Sequence, residues 1–230
     1  MAGGIKVGYK TYQESFADFV KRLEFDEINL LIYISKLAIF HGSRNITVSY
    51  LDVSYHLGLK GKGTDYVKNN IPQLLSLYFE KDGQYFPFFE KVHLRNNHFE
   101  FVLTQMFEEE SFHFFVKVIS LLSPNVIYNI NKHHTIYLYL KLKEEFFRRE
   151  TMFECSLMMT TEELKAVFGL SGYDYHDVDG FNRGKFEKNF LISSIEDIND
   201  LDKSLSLKWE KIKENRLVTG YLIKCSILKT

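Results

Sequence analysis

One pattern occurs twice in this chain, 111 residues apart from Ser49 to Thr160, and it predicts an α+β fold of two tandem modules. Each module would be a helix-turn-helix closed by a β-hairpin wing. Three observations carry this. The segments Ser49–Leu59 (SYLDVSYHLGL) and Thr160–Leu170 (TTEELKAVFGL) share hydroxyl, acid and Gly-Leu positions. A strongly apolar stretch precedes each copy. Alternating polar and apolar runs around a turn signal close each half.

The elements follow in order. Phe25–His41 (FDEINLLIYISKLAIFH) is apolar on nearly every side and predicts a buried helix. Asn45–Val48 is a short β-prone run. Ser49 and Asp52 then stand at capping-box spacing, in which hydroxyl and carboxylate satisfy the free N–H groups of a helix start. Val53 and Leu57 continue at helical spacing, and Gly58-Leu59 fits a left-handed C-terminal cap. Thr64–Glu80 predicts a second helix, kinked or restarted at Pro72, which lacks an N–H. Tyr85–Leu94 and His98–Phe107 flank Arg95-Asn96-Asn97, a hairpin signal. The acidic run Glu108–Glu110 suits the start of a further helix.

Ser123–Lys132 (SPNVIYNINK), with Pro124 and three Asn, is the expected boundary, which gives domains at 1–123 and 133–230. The second half repeats the order. His133–Arg149 predicts a helix, although Ile136–Leu140 could also form a strand. Phe153–Met158 is β-prone. Thr160 and Glu163 repeat the capping box, Leu164 and Phe168 the apolar spacing, and Gly169-Leu170 the stop. Phe181–Leu201 predicts a helix with Phe186 and Phe190 four apart, continued by Leu191, Ile195 and Ile198. In Leu205–Lys213, Leu205, Leu207 and Trp209 alternate with Ser206, Lys208 and Glu210. Val218–Leu228 pairs back across Glu214–Leu217. Each half therefore reads as a winged helix.

Composition limits the function. With 45% hydrophobic residues, 16% aromatics and only 3 Pro in 230 residues, the chain carries enough apolar surface to fold. Two cysteines, Cys155 and Cys225, exclude a disulfide scaffold or a four-Cys zinc module; both are expected in strands as core packing. No stretch has the roughly 18 apolar residues of a membrane span, and Met1–Lys10 has no apolar core, so a cytoplasmic protein without membrane contact is expected. The net charge of −1, from 29 basic and 30 acidic residues, makes no global case for a polyanionic partner; any such case must be local.

Several motifs fail on inspection. Gly58–Thr64 (GLKGKGT) lacks the Lys that a phosphate-binding loop carries after its second Gly. Asp174–Gly180 (DYHDVDG), aligned as a calcium loop, puts Tyr175 and Phe186 where acids are needed. Asp174, His176, Asp177 and Asp179 could still hold a metal casually, but a solvated loop is the expected reading. His133 and His134 do not share a helix face. No Ser-His-Asp or Cys-His arrangement follows from spacing, and there is no His-x-His motif with which to organise DNA nicking. No enzyme and no cofactor are expected.

From Phe16 to Leu228 the sequence resembles the plasmid replication initiators with two tandem winged-helix domains. The resemblance rests on Leu23–Leu37 in the first module, and on His134–Leu142 (HTIYLYLKL), Phe168-Gly169-Leu170, Ser193–Asn199 (SSIEDIN) and Arg216–Tyr221 (RLVTGY) in the second. The chain departs from that family in its near-neutral charge, in Ile192-Ser193 where many members have Pro, and in the acidic loop Ser171–Gly180. The resemblance implies binding of double-stranded DNA at repeated origin sites, with the second module supplying most sequence specificity. The first module would mediate dimerisation and touch the DNA backbone. Dimers would repress the protein's own gene, monomers would bind the repeats, and host replication proteins would be recruited. A transcriptional regulator without a replication role, or an interaction module that has lost DNA binding, are the alternatives.

The residues offer suitable chemistry. Asn182, Arg183, Lys185, Lys188 and Asn189 begin the second helix of the second module, where long polar side chains can reach base edges in a major groove. Lys208, Lys211, Lys213 and Arg216 populate the wing; Lys203–Arg216 holds five basic and two acidic residues, suited to phosphate contacts. In the first module Lys60, Lys62 and Lys68 flank the corresponding helix. Its aromatics Tyr78, Phe79, Tyr85, Phe86, Phe88 and Phe89 are expected mostly in the core, with some left for a subunit interface.

Overall fold

A computed structural model describes residues 19–21, 23–56, 63–81, 84–105, 118–149, 153–171, 174–177 and 180–228. The first module contains α1 (Phe25–His41), β1 (Asn45–Ser49), α2 (Tyr50–His56), α3 (Gly63–Leu75), a hairpin of β2 (Tyr78–Lys81) and β3 (Gln84–Pro87), then β4 (Phe89–Arg95) and β5 (His98–Leu103). After α4 (Pro124–Asn129), the second contains α5 (His133–Arg149), β6 (Glu154–Thr160), α6 (Thr161–Val167), the two-residue strands β7 (His176–Asp177) and β8 (Gly180–Phe181), and a long helix. That helix runs as α7 (Arg183–Phe186), a π-helical turn (Glu187–Ile192) and α8 (Ser193–Leu201). The wing strands β9 (Leu205–Glu214) and β10 (Leu217–Ile227) complete the module.

Both halves share one topology. The strand after the first helix pairs antiparallel with the last strand, giving sheet orders β1-β5-β4 and β6-β10-β9. This is the winged-helix arrangement in tandem. The halves differ in where a small hairpin is inserted, after α3 in the first and before α7 in the second.

Local chemistry explains the boundaries. In α1, Ile28, Leu30, Leu31, Ile32, Ile34 and Ala38 are buried, so most of its faces meet core. The Glu27 carboxylate accepts from the Glu24 N–H at 2.9 Å, and Gly42 ends the helix at φ 60°. The capping box of α6 is complete: the Thr160 hydroxyl accepts from the Glu163 N–H at 3.1 Å, and the Glu163 carboxylate accepts from the Thr160 N–H at 2.7 Å. These bonds hold the Glu163 carboxyl below its usual range. Gly169 stops the helix at φ 71°. At Ser49 the hydroxyl accepts from the Asp52 N–H at 3.1 Å and donates to the Asp52 carboxylate. Gly58-Leu59 lies outside the described residues, as do Gly58–Gly63 of the rejected phosphate loop, apart from the helical backbone at Gly63, and Glu108–Glu110. Paired left-handed residues turn both wings, Asn96-Asn97 and Asn215-Arg216.

Several expectations are corrected. The helix expected over Thr64–Glu80 ends at Leu75, and Tyr78–Lys81 leaves it to pair with Gln84–Pro87. Pro72 does not restart α3, because only its last turn remains beyond that residue. His133–Arg149 is helical throughout, so Ile136–Leu140 is not a strand. The expected boundary segment contains a helix: Ser123 precedes Pro124 at the first turn of α4, where a missing N–H costs nothing. Among the first module's aromatics, Phe88 and Phe89 are buried, Phe86 is half-buried, and Tyr78 and Tyr85 are exposed.

The modules touch. The Tyr137 hydroxyl donates to the Lys21 carbonyl at 3.3 Å, and the His56 ring lies 4.0 Å from Tyr33 and 5.8 Å from Tyr128 of α4, centroid to centroid. Inside the second module Asp202 accepts from Tyr139 at 2.9 Å and faces Lys143 at 3.4 Å. Burial raises the Asp202 carboxyl, but bonds from Ser204 and Tyr139 and the Lys143 charge outweigh it, leaving the group below the usual range.

Candidate nucleic-acid interface

The long helix of the second module is aimed by its ends and by the wing. Its N-cap is Asn182, whose Oδ1 accepts from the Lys185 N–H at 3.1 Å. The preceding strand is pinned by Lys165, a buried side chain whose ammonium sits 3.9 Å from the Phe181 ring centroid and 3.3 Å from Glu162. Phe186, Leu191, Ile195 and Ile198 are buried along the helix. The step of five from 186 to 191 coincides with the π-helical turn, which shifts the buried stripe by one residue. Such turns are often found at functional sites.

Two side chains of this helix tie it to the wing. Arg183 Nη1 donates to the Val218 carbonyl of β10 at 2.8 Å. Glu187, with a side chain 10% exposed, pairs with Lys211 of β9 at 2.7 Å and accepts from the Tyr221 hydroxyl of β10 at 3.0 Å. Burial, and then the Glu187 charge, push the Tyr221 phenol well above its ordinary pKa.

The expected contact residues therefore divide. Lys185, Lys188 and Asn189 are exposed on the helix, and Lys213 and Arg216 are exposed at the wing tip, with Leu217 73% exposed beside them. Asn182, Arg183 and Lys211 are engaged within the module. Lys208 alternates onto the sheet face opposite Lys211. There it lines an open groove of 840 Å³ with Glu154, Glu210 and Lys224, and Lys224 pairs with Glu210 at 2.6 Å. In the first module Lys68 is exposed on α3, whereas Lys60 and Lys62 lie outside the described residues. The helix-to-wing contacts carry no local sequence signal, because their partners are 24 to 35 residues apart.

Other chemistry is sparse among the described residues. Cys155 and Cys225 are buried, directly opposed in the β6–β10 register, and not joined by a disulfide. The hydrogen bond with Cys155, and then burial, raise the Cys225 thiol, which keeps it protonated. No three His, Cys, Asp or Glu side chains converge as metal ligands; Asp179 of the possible metal loop lies outside the described residues. Among the described residues no helix is long and apolar enough to cross a membrane.

Comparison with known proteins points the same way. Residues 160–225, from the α6 cap through the wing, match the family described as initiator Rep protein, WH2. Over this span the second module is similar to an initiator Rep WH2 domain. The Pi initiator protein, solved in complex with iteron DNA, superposes with a TM-score of 0.65 at 11% identity, covering 96% of this chain and 97% of that one. Domains 2 and 3 of RctB superpose at 0.52 and 12% identity, covering 89% of this chain and 82% of that one. These likenesses show a shared tandem winged-helix fold. No curated protein matches the sequence.

Proposed function

We propose that this protein is a DNA-binding replication initiator, plasmid-borne, that recognises repeated origin sites. The observation that carries the reading is the initiator Rep WH2 match, which spans the long helix and all but the last two residues of the wing. The fold likeness to the Pi initiator over nearly the full chain supports it. The second domain (133–230) reads sequence, with Lys185, Lys188 and Asn189 facing the major groove. Lys213 and Arg216 hold phosphates, which position the module without specifying bases. The first domain (1–123) contributes backbone contact through Lys68, Lys60 and Lys62. Its exposed Tyr78 and Tyr85 fit a dimer surface. Repression of its own gene, recruitment of host replication proteins and a cytoplasmic location belong to the same reading, in which no covalent chemistry is needed.

The test is an equilibrium titration of the full chain against a labelled duplex of the DNA flanking its gene, with scrambled competitor, at two salt concentrations. Site-specific binding survives competitor and weakens as salt rises. Footprinting then gives protections at repeated intervals. A single isolated protection would favour a regulator instead. Binding no tighter than to scrambled DNA would refute the reading.

A further inference from the structure

Within the DNA-binding reading, on which this inference rests, Glu187 is the anomaly. A carboxylate on the helix that faces a polyanion is unfavourable, since it repels phosphates and offsets one neighbouring cation. It is also nearly buried, and burying a charge costs free energy unless the group is paired and hydrogen-bonded. Both conditions are met by the wing: Lys211 Nζ at 2.7 Å from one carboxylate oxygen and the Tyr221 hydroxyl at 3.0 Å from the other. One turn earlier on the same helix, Arg183 bonds the Val218 carbonyl at 2.8 Å. The helix is thus fastened to β9 through Lys211 and to β10 through Val218 and Tyr221. Glu187 also opens the π-helical turn.

We propose that Glu187 is a positioning residue that clamps the wing to the recognition helix, with Lys211 as its ion-pair partner rather than a phosphate contact. The clamp fixes the angle between the base-reading side chains Lys185, Lys188 and Asn189 and the phosphate-holding wing tip at Lys213 and Arg216. Two rigidly related contact surfaces can register together on one site, whereas a loose wing must be ordered at the moment of binding, which weakens specific affinity. Scrambled DNA makes no such joint demand.

The signs of the effects separate this from electrostatics. The variants are Glu187→Gln, Lys211→Met and the double change, in the full chain. A neutral amide offers one acceptor oxygen and no charge, so it cannot serve Lys211 and Tyr221 as the carboxylate does. Titrations use the flanking-gene duplex and a scrambled duplex across a salt series. Glu187→Gln is expected to weaken binding to the flanking duplex about tenfold while scrambled binding is unchanged or tighter. Lys211→Met is expected to give the same loss with an unchanged salt slope. The double variant should be no worse than the poorer single one, as for two halves of one contact.

Glu187→Gln binding the flanking duplex as tightly as the parent, or more tightly, would overturn the proposal. So would a salt slope flattened by about one phosphate in Lys211→Met, or additive losses in the double variant. Trp209, the chain's single tryptophan, gives a readout without DNA; its ring centroid is 5.8 Å from Lys211 Nζ. If the parent itself shows no site preference, the initiator reading fails, and iodide quenching of Trp209 decides the clamp. Increased quenching in both single variants supports it, and unchanged quenching overturns it.

Discussion

A methyl group added at Gly220 should damage the second module more than any comparable change on its surface. The residue lies in β10, opposite Thr160 of β6 and next to the register shift at Val218. A Cβ built there would stand 2.4 Å from the Met159 carbonyl oxygen, and 3.2 Å from both the Met159 carbonyl carbon and the Thr160 Cα. All three are backbone atoms, so no rotamer change relieves the contact. Thr160 is also fixed as the cap of α6. The strands would have to part by about 0.6 Å to reach a bare 3.0 Å separation, stretching ladder hydrogen bonds on both sides. Overpacking typically costs about 1–3 kcal/mol, and the rigid surroundings place Gly220→Ala at about 3 kcal/mol. For a chain of this size that lowers Tm by about 6–12 °C. Trp209 on the neighbouring strand reports unfolding of this module in a thermal or urea series. Gly184→Ala is the matched control. Its Cβ would meet only Asn182 Oδ1 at 3.9 Å, so the gain in helix propensity should raise stability by about 0.5–1 kcal/mol. A Gly220→Ala protein within about 1 kcal/mol of the parent would refute the packing argument.

Four further outcomes are expected. His134 packs against Phe190 at 4.7 Å with its Nε2 buried and without a partner; burial and then the Lys132 charge lower its pKa to about 4. Because the unfolded chain takes up this proton first, stability is intact above about pH 6.5 and falls toward pH 4, by about 1–3 kcal/mol. His134→Gln should flatten that part of a pH–stability curve, and an unchanged curve would count against the assignment. Asp202→Ala leaves the Tyr139 hydroxyl and the Lys143 ammonium buried without their acceptor, and should cost about 3 kcal/mol in urea denaturation. A loss below about 1 kcal/mol would show the network to be solvated. For DNA, Lys188→Ala should cost about 1–3 kcal/mol on the flanking duplex and little on scrambled DNA. Replacing Lys213 and Arg216 with Ala should weaken both duplexes alike and reduce the salt slope by about 1.8.

Much of the scaffold was legible because short-range chemistry sets it. Phe25–His41 and His133–Arg149 are helical over their full expected spans; in the first the apolar density leaves no competing pattern, and in the second the helix prevails over the strand that Ile136–Leu140 could have formed. Thr160 with Glu163, and Asn96-Asn97, fix ends and turns through contacts a few residues apart. Where the reading erred, a usable signal was present and outweighed. Asp82-Gly83 is a strong hairpin dipeptide, but the apolar run Leu74–Phe79 fits a helix and a strand equally. Ser123-Pro124 announces a helix start in a segment read as a boundary. The π-helical turn is prefigured by the slip from Phe186 and Phe190 to Leu191, Ile195 and Ile198. The functional division of the cations was not legible. Lys211 and Lys213 are equivalent in composition and strand phase, and only the fold brings Glu187 to the first. Likewise, nothing near Arg183 in sequence marks the Val218 carbonyl as its partner.

The same division resolves the near-neutral charge, which at first weighs against a nucleic-acid partner. Five acidic side chains of the second module are engaged internally: Glu187 with Lys211, Asp197 with Lys132 at 2.8 Å, Asp202 with Lys143, Glu163 in its capping box and Glu210 with Lys224, whereas Glu196 and Glu214 are exposed. Among the described residues, Lys185, Lys188, Lys213 and Arg216 enter no ion pair, and all four are exposed around the helix-wing unit. Screening in physiological salt acts over about 8 Å, so a docked phosphate feels the cations of that face rather than the sum over the chain. Net charge adds groups that cancel within the fold to groups that face solvent. Only the second set bears on binding, and around the helix-wing unit its cations Lys185, Lys188, Lys213 and Arg216 outnumber the exposed acids Glu196 and Glu214.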